Sequence, residues 1–305
     1  MSGALCASLS ITTTFGAEAT LEEVVVTASR DKNPLDIAQP TSVLSGDDLS
    51  RQLAGSLGET LSRQLGVSSS YFGPTASRPV IRGLGGYRVQ TLQDGLATLD
   101  VGSLSDDHAV TIDPALATQL EILKGPATLL YGSGASGGLV NVVTNRIPSA
   151  APKDGLDALI ELRAGMVADE RAGAASLNAG SEHFAVHVDA FKSKSDAIDI
   201  PSATISRRLS DRLIAAGEEP EAHQGSIPNA FSDSKGGAFG ASWFGNDTLV
   251  GGSASRYESV YGIPSEATAF IDMKQNRYDA KVAWRSSTGW LRGLSVSGAY
   301  NDYAH

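Results

Sequence analysis

"LDALIELRAG", residues 156–165, alternates: Ala158, Ile160, Leu162 and Ala164 fall on one side of an extended chain, and Asp157, Glu161 and Arg163 on the other. The same period of two returns in "HFAVHVDAFK" (183–192), where Phe184, Val186, Val188 and Ala190 oppose His187 and Asp189. "RYDAKVAWRS" (277–286) sets Tyr278, Ala280, Val282 and Trp284 against Asp279, Lys281 and Arg285, and "GLSVSGAYND" (293–302) sets Leu294, Val296 and Tyr300 against Ser295, Ser297 and Asn301. Weaker alternation in "AGAASLNAG", "KGGAFGASWF" and "TLVGGSASRY" brings the expectation to about seven strands.

Alternation alone also fits a soluble sandwich. The links separate the two: those near Ser181, Asn246 and Gly289 are short, whereas those at about 193–233 and 258–273 are long and polar. Short turns at one end and long loops at the other predict an antiparallel transmembrane β-barrel, with Tyr257, Trp284 and Tyr300 as interfacial aromatics. Single-chain bacterial barrels use an even number of strands from about eight upward, so seven strands predict an incomplete barrel, broken off in mid-strand at His305.

The chain has 305 residues, enough for two domains, and a formal charge of −10 that argues against a phosphate-tracking nucleic-acid surface. Cys6 is the single cysteine, so no intrachain disulfide or thiolate cluster forms, and a metal would be held by His, Asp or Glu. Residues 1–19 are small and apolar and end in Ala-x-Ala (Ala17 to Ala19). They are read as a signal peptide that lacks the usual basic start. The Leu5–Cys6 junction argues against a lipoprotein anchor, and no apolar run is long enough for a spanning helix.

Before Pro148 the texture is α/β. "GDDLSRQLAGSLGETLSRQLG" (46–66) places Leu49, Leu53, Leu57, Leu61 and Leu65 four apart, which predicts two short helices separated by Gly55 and Gly58. "PVIRG", "RVQTLQDG" and "QLEILKG" are short β-like runs stopped by glycine. "LEEVVVTASR" (21–30) favours an extended chain, either a first strand of this domain or a strand left available to a partner's sheet edge. "YGSGASGG" (131–138) lacks the Gly-Lys-Ser/Thr ending of a phosphate loop. No nucleophile, base and oxyanion constellation stands out, so an enzyme is not expected.

"IRGLGGYRVQTLQDG" (81–95) and "LEILKGPATLLYGSGASGGLVNVVT" (120–144), followed by the alternating half, closely resemble the TonB-dependent outer-membrane receptors across residues 21–305. The resemblance implies a signal peptide (1–19), a TonB box and linker (20–35), an α/β plug domain (36–150) and the N-terminal strands of a β-barrel (151–305) that has about 22 strands when complete. It implies location in the bacterial outer membrane and contact with its lipid. It also implies pairing of the TonB box (Glu22, Glu23, Val24, Val25, Val26, Thr27, Ala28) with TonB, which is energised by the ExbB–ExbD complex. Gly83, Gly125, Gly132 and Gly134 are then structural, allowing positive φ and close backbone approach, and Arg82 and Lys124 brace the plug against barrel carboxylates.

"SLSDDHAVTIDP" (103–114), with "YGIP" (261–264) and "DMKQNRYD" (272–279), looks like the zinc-uptake, ZnuD-type branch. That resemblance makes Asp107 and His108, on an apical plug loop, candidate ligands of a transported zinc ion, the remaining ligands coming from the barrel. Read from residues alone, Asp106 and Asp107 cap a turn and His108 packs locally. "GEEPEAH" (217–223) is either a solvated loop or a concentrator of cations. His183 and His187, placed on one lumen-facing strand face, are expected to be structural. The expected activity is import of a scarce metal, zinc first, with no bound cofactor. An iron siderophore or haem receptor, or a non-transporting or truncated receptor, is the alternative.

Overall fold

The structure is a computed structural model that describes residues 7–11, 41–125, 135–220, 222–266, 268–285 and 293–305. The TonB-box residues 22–28, Gly132 and Gly134 lie outside the described residues. Of the expected signal peptide, Ala7–Ile11 is described. It forms strand β1, laid antiparallel on β9 (Leu156–Gly165).

The first half builds a mixed sheet from β2 (Thr41–Ser45), β5 (Val89–Gln93), β6 (Leu96–Ala97), β7 (Gln119–Leu123) and β8 (Gly138–Val143). The order is β2–β7–β8–β5–β6, with β5 and β8 parallel and the other pairs antiparallel. Helices α1 (Gly46–Gln52) and α2 (Leu57–Leu61) pack on it, with a small ribbon of β3 (Val67–Ser69) and β4 (Pro79–Ile81) alongside. Leu49, Leu57, Leu61, Ile81, Leu120 and Val140 are buried at the centre of this core.

The leucine row was half right as a guide to this packing. The break falls at residues 53–56, where Ser56 caps α2 by accepting from the Glu59 N–H. Gly58 therefore lies inside α2 rather than between the helices, and Leu65, beyond the helix end, is 89% exposed.

The second half adds seven strands to β1 in one antiparallel sheet, neighbours in the order β9, β10 (Glu170–Ser181), β11 (Phe184–Ser195), β14 (Ser232–Phe244), β15 (Thr248–Gly262), β16 (Phe270–Arg285) and β17 (Gly293–Ala304). The alternation that the sequence predicts is clearest on β11 and β14 and on the first half of β16. Leu156, Ile160 and Leu162 on β9, Phe239 and Trp243 on β14, and Val282 on β16 face outward and are exposed. His187, Asp189, Phe191, Ser234 and Arg277 face inward and are buried against the first half. Such an apolar outer face over a polar inner one is what a lipid-facing barrel wall requires.

Two details differ from the sequence reading. The link expected at about 258–273 shrinks to residues 263–269, because β15 and β16 run for 15 and 16 residues. As a result Tyr257 is not an interfacial aromatic: it is buried on the inner face beside Phe191, with ring centroids 5.6 Å apart. Trp284 and Tyr300 do face outward. The long link between β11 and β14 is not bare loop either. It carries the ribbon β12 (Ile198–Ile200) and β13 (Gly225–Ile227) and the helix α3 (Arg207–Ala215), capped by Ser206. No helix among the described residues is long and apolar enough to cross a membrane.

Candidate functional site

The stretch 97–111 leaves β6, rises as a loop and returns toward β7, and its neck is closed by one carboxylate. Asp100 Oδ1 accepts from Gly102 N–H at 3.1 Å, and Oδ2 accepts from the Thr111 N–H and hydroxyl at 3.2 and 3.0 Å. The barrel wall holds the same loop by its carbonyls. Arg277 donates to Ala97 O at 2.8 Å, Gln275 to Thr98 O at 3.2 Å, and Asn301 to Thr98 O and Leu99 O at 3.2 and 2.8 Å.

At the tip, the buried Arg78 guanidinium donates to the Ser105 carbonyl and lies 3.6 Å from Asp106. Asp107 Oδ1 receives the Ser105 hydroxyl and sits 2.9 Å from His108 Nδ1. Burial on its own would raise the Asp107 carboxyl, but the hydrogen bonds from Ser105 and His108 outweigh it and hold the group below its ordinary range. An ionised Asp107 accepts a proton-bearing Nδ1, which leaves Nε2 of His108 as the ring's electron-pair donor. That Nε2 is buried without a hydrogen-bond partner among the described residues. The ring meets His305 edge-on, with centroids 4.8 Å apart, and the Tyr303 ring lies 5.5 Å from that of His305.

The structure thus places Asp107 and His108 together and aligns one behind the other rather than side by side. His305, on no motif, is the residue that sequence reasoning passed over. Among the described residues, no three His, Cys, Asp or Glu side chains converge on a point that would hold a metal ion. Glu218 and Glu219 are exposed after α3, and Glu221 lies outside the described residues.

A second set of contacts joins the two halves. Arg146, just after β8, makes a two-pronged ion pair with Asp189 of β11, Nε–Oδ2 at 2.8 Å and Nη2–Oδ1 at 3.2 Å. His187 bridges Asp189 (3.0 Å) and Asn178 (2.7 Å), and Arg146, His187 and Asp189 are all buried. The backbone here runs flush with the wall: a Cβ on Gly240 would lie 1.7 Å from the Arg146 carbonyl oxygen, and one on Gly251 2.5 Å from Ile147. Only glycine permits that approach.

Among the described residues, the buried ion pair between the two halves is Arg146–Asp189, not one made by Arg82 or Lys124. Lys124 turns inward within the first half, donating to Leu65 O at 2.6 Å and Ser42 Oγ at 3.3 Å. Arg82 is exposed, at φ +52° beside Gly83 at +80°, and among the described residues makes no ion pair with the wall. Gly125 takes φ +107°. His183 is exposed in the turn before β11 and does not share a strand face with His187.

Residues 33–139 match the TonB-dependent Receptor Plug Domain family. Over 137 residues the chain is 33% identical to a hemin receptor of Yersinia pestis, covering 44% of this chain and 20% of that protein. Over 242 residues it is 26% identical to the vitamin B12 transporter BtuB of Vibrio vulnificus, covering 78% of this chain and 38% of that protein. The chain thus spans well under half the length of these relatives. Among solved structures, the copper transporter OprC superposes with a TM-score of 0.67 at 19% identity, over 86% of this chain and 37% of that one. The ferric enterobactin receptor PfeA of Pseudomonas aeruginosa superposes at 0.60 and 18% identity, over 87% and 42%. Residues 33–139 therefore match a TonB-dependent receptor plug domain, and the antiparallel strands that follow share the barrel fold of these structures.

Proposed function

We propose that this chain supplies the plug and first barrel strands of a TonB-dependent outer-membrane receptor that imports a metal-bearing cargo, zinc before others, recognised at the plug tip by His108. The observation that carries the reading is the oriented imidazole: Asp107 fixes Nδ1 at 2.9 Å, Nε2 has no hydrogen-bond partner among the described residues, and a second imidazole, His305, stands 4.8 Å away. In such a site His108 and His305 donate nitrogen to the metal, and Asp107 acts by holding the His108 ring and raising its basicity. Zinc accepts imidazole and carboxylate ligands where no thiolate is offered.

Cargo binding at the tip is read inside the lumen through the hydrogen-bonded loop neck at Asp100. Residues 22–28 then pair with TonB as an added strand, and the ExbB–ExbD complex supplies the force, since the outer membrane has no nucleotide supply of its own.

The test is zinc binding and energy-dependent zinc uptake by the full-length receptor in vesicles, wild type against His108→Ala and Asp107→Asn. His108→Ala is expected to abolish binding, and Asp107→Asn to weaken it by roughly 10- to 100-fold. Unchanged zinc affinity in both variants sinks the zinc reading. A second reading, haem, is favoured by the likeness to a hemin receptor and by the edge-on imidazole pair. A haem absorbance band that shifts on binding to wild type and is lost in His108→Ala, with no zinc uptake, decides for it.

A further inference from the structure

The outward wall changes character at one level. On β11, Phe184, Val188 and Ala190 are followed toward the long-loop end by Lys192 and Lys194; on β14, Phe239 and Gly237 are followed by Lys235. The cross-strand register aligns the cations. Arg171 of β10 is directly opposite Lys194, and Lys192 is directly opposite Lys235. Two like-charged pairs side by side repel, and such pairs are destabilising in a sheet.

The acids nearby do not cancel them. Glu258 is 3.2 Å from Lys235 but also takes Arg256, Asp196 is 3.9 Å from Lys194, and Asp233 sits opposite Lys194 in register. Arg171 and Lys192 have no ion-pair partner among the described residues, and Lys194 and Lys235 are about three-fifths exposed (60% and 61%). The block of four cations begins where the apolar band stops.

We propose that Arg171, Lys192, Lys194 and Lys235 form a binding site for the phosphate groups of an outer-leaflet lipid, whose acyl chains lie on the Val188–Ala190–Phe239 surface just below. The proposal rests on the outer-membrane placement and not on the cargo. A lipid is selected over a soluble anion by continuity: one molecule meets the apolar and the cationic surface together, while long side-chain stems cover the seam between them. Bound phosphates also remove the repulsion that the bare register imposes, since charge-assisted hydrogen bonds to phosphate are among the strong ones.

The experiment is native mass spectrometry of the detergent-solubilised full-length receptor, incubated with bis-phosphorylated lipid A or its dephosphorylated form. Wild type is expected to retain the phosphorylated lipid on the order of tenfold more tightly. Lys192→Gln/Lys235→Gln is expected to lose that preference while still migrating as a folded, heat-modifiable barrel. Equal retention of the two lipids by wild type, or an undiminished preference in the variant, overturns the proposal. Should the variant fail to insert, the wild-type preference is titrated with sodium chloride, and a preference insensitive to salt overturns it too. Binding of inorganic pyrophosphate with no lipid retained reassigns the patch to soluble anions and has the same consequence.

Discussion

The Tyr261 hydroxyl of β15 accepts from the Ala109 N–H at 2.8 Å and donates to the Asp107 carbonyl at 3.0 Å, so one wall side chain closes both ends of the turn that carries His108. Tyr261 and Ala109 are both fully buried, so the Ala109 N–H has no water to turn to.

Tyr261→Phe keeps the ring and removes both bonds. Hydrogen exchange at the Ala109 amide is expected to speed up by an amount equivalent to about 1–3 kcal/mol, while strand amides of β15 stay protected. Cargo affinity falls with it, because His108 loses its fixed height above the plug.

Arg146→Ala leaves Asp189 charged, buried and short of its strongest partner. The plug's resistance to urea, read by protease cleavage in the plug, is expected to fall by about 3–5 kcal/mol. Arg146→Met combined with Asp189→Leu is expected to recover most of that loss. The remainder measures His187, which keeps Asn178 but loses its Asp189 contact.

Acidity acts on the plug through Asp113 and Glu59. Burial, opposed by the Ala115 N–H for Asp113 and by the Ser56 hydroxyl for Glu59, raises both carboxyls above their ordinary range. A raised acid pKa favours the protonated folded form. Its stabilisation is full below the unfolded pKa and is lost as pH rises through the folded one. The plug is therefore expected to melt at a higher temperature near pH 5 than near pH 7. Asp113→Asn, which still accepts from Ala115, is expected to raise the neutral-pH melting point and flatten that dependence.

Gly240→Ser places a side chain where the Arg146 carbonyl already is. The segment after β8 has to move off the wall, and the Arg146–Asp189 pair is expected to break with it. A cysteine-free fluorescence probe of plug docking, compared with Gly298→Ser on β17, where a Cβ meets nothing within 4 Å, isolates the effect.

Much of the wall was legible because each strand carries its own evidence: the period of two in 156–165 or 277–285 needs no partner to be read. Tyr257 was misread from its position near an assumed strand end, although its flanking Arg256 and Glu258 placed it on the opposite face from the charges. α3 hid in a polar stretch because a helix of nine residues with exposed Leu209 and Ile214 has no buried stripe to announce it. The Arg146–Asp189 and Tyr261–Asp107 contacts span 43 and 154 residues, and no local pattern encodes which distant carboxylate or hydroxyl a side chain will meet. His108 was visible through its motif. His305 was not, since its place beside His108 comes only from how β17 lies against the loop.

The plug sheet is loaded asymmetrically. β2 sits at the sheet edge with a five-residue ladder to β7, whereas the other end of the domain is moored to the wall at Gly240 and Gly251. Tension entering ahead of Thr41 meets that short edge ladder first and can strip it like the outermost tooth of a zip, leaving β7, β8, β5 and β6 paired. Pulled from that side, the domain is expected to lose its margin before its centre, while the Gly240 and Gly251 contacts keep the far end in place.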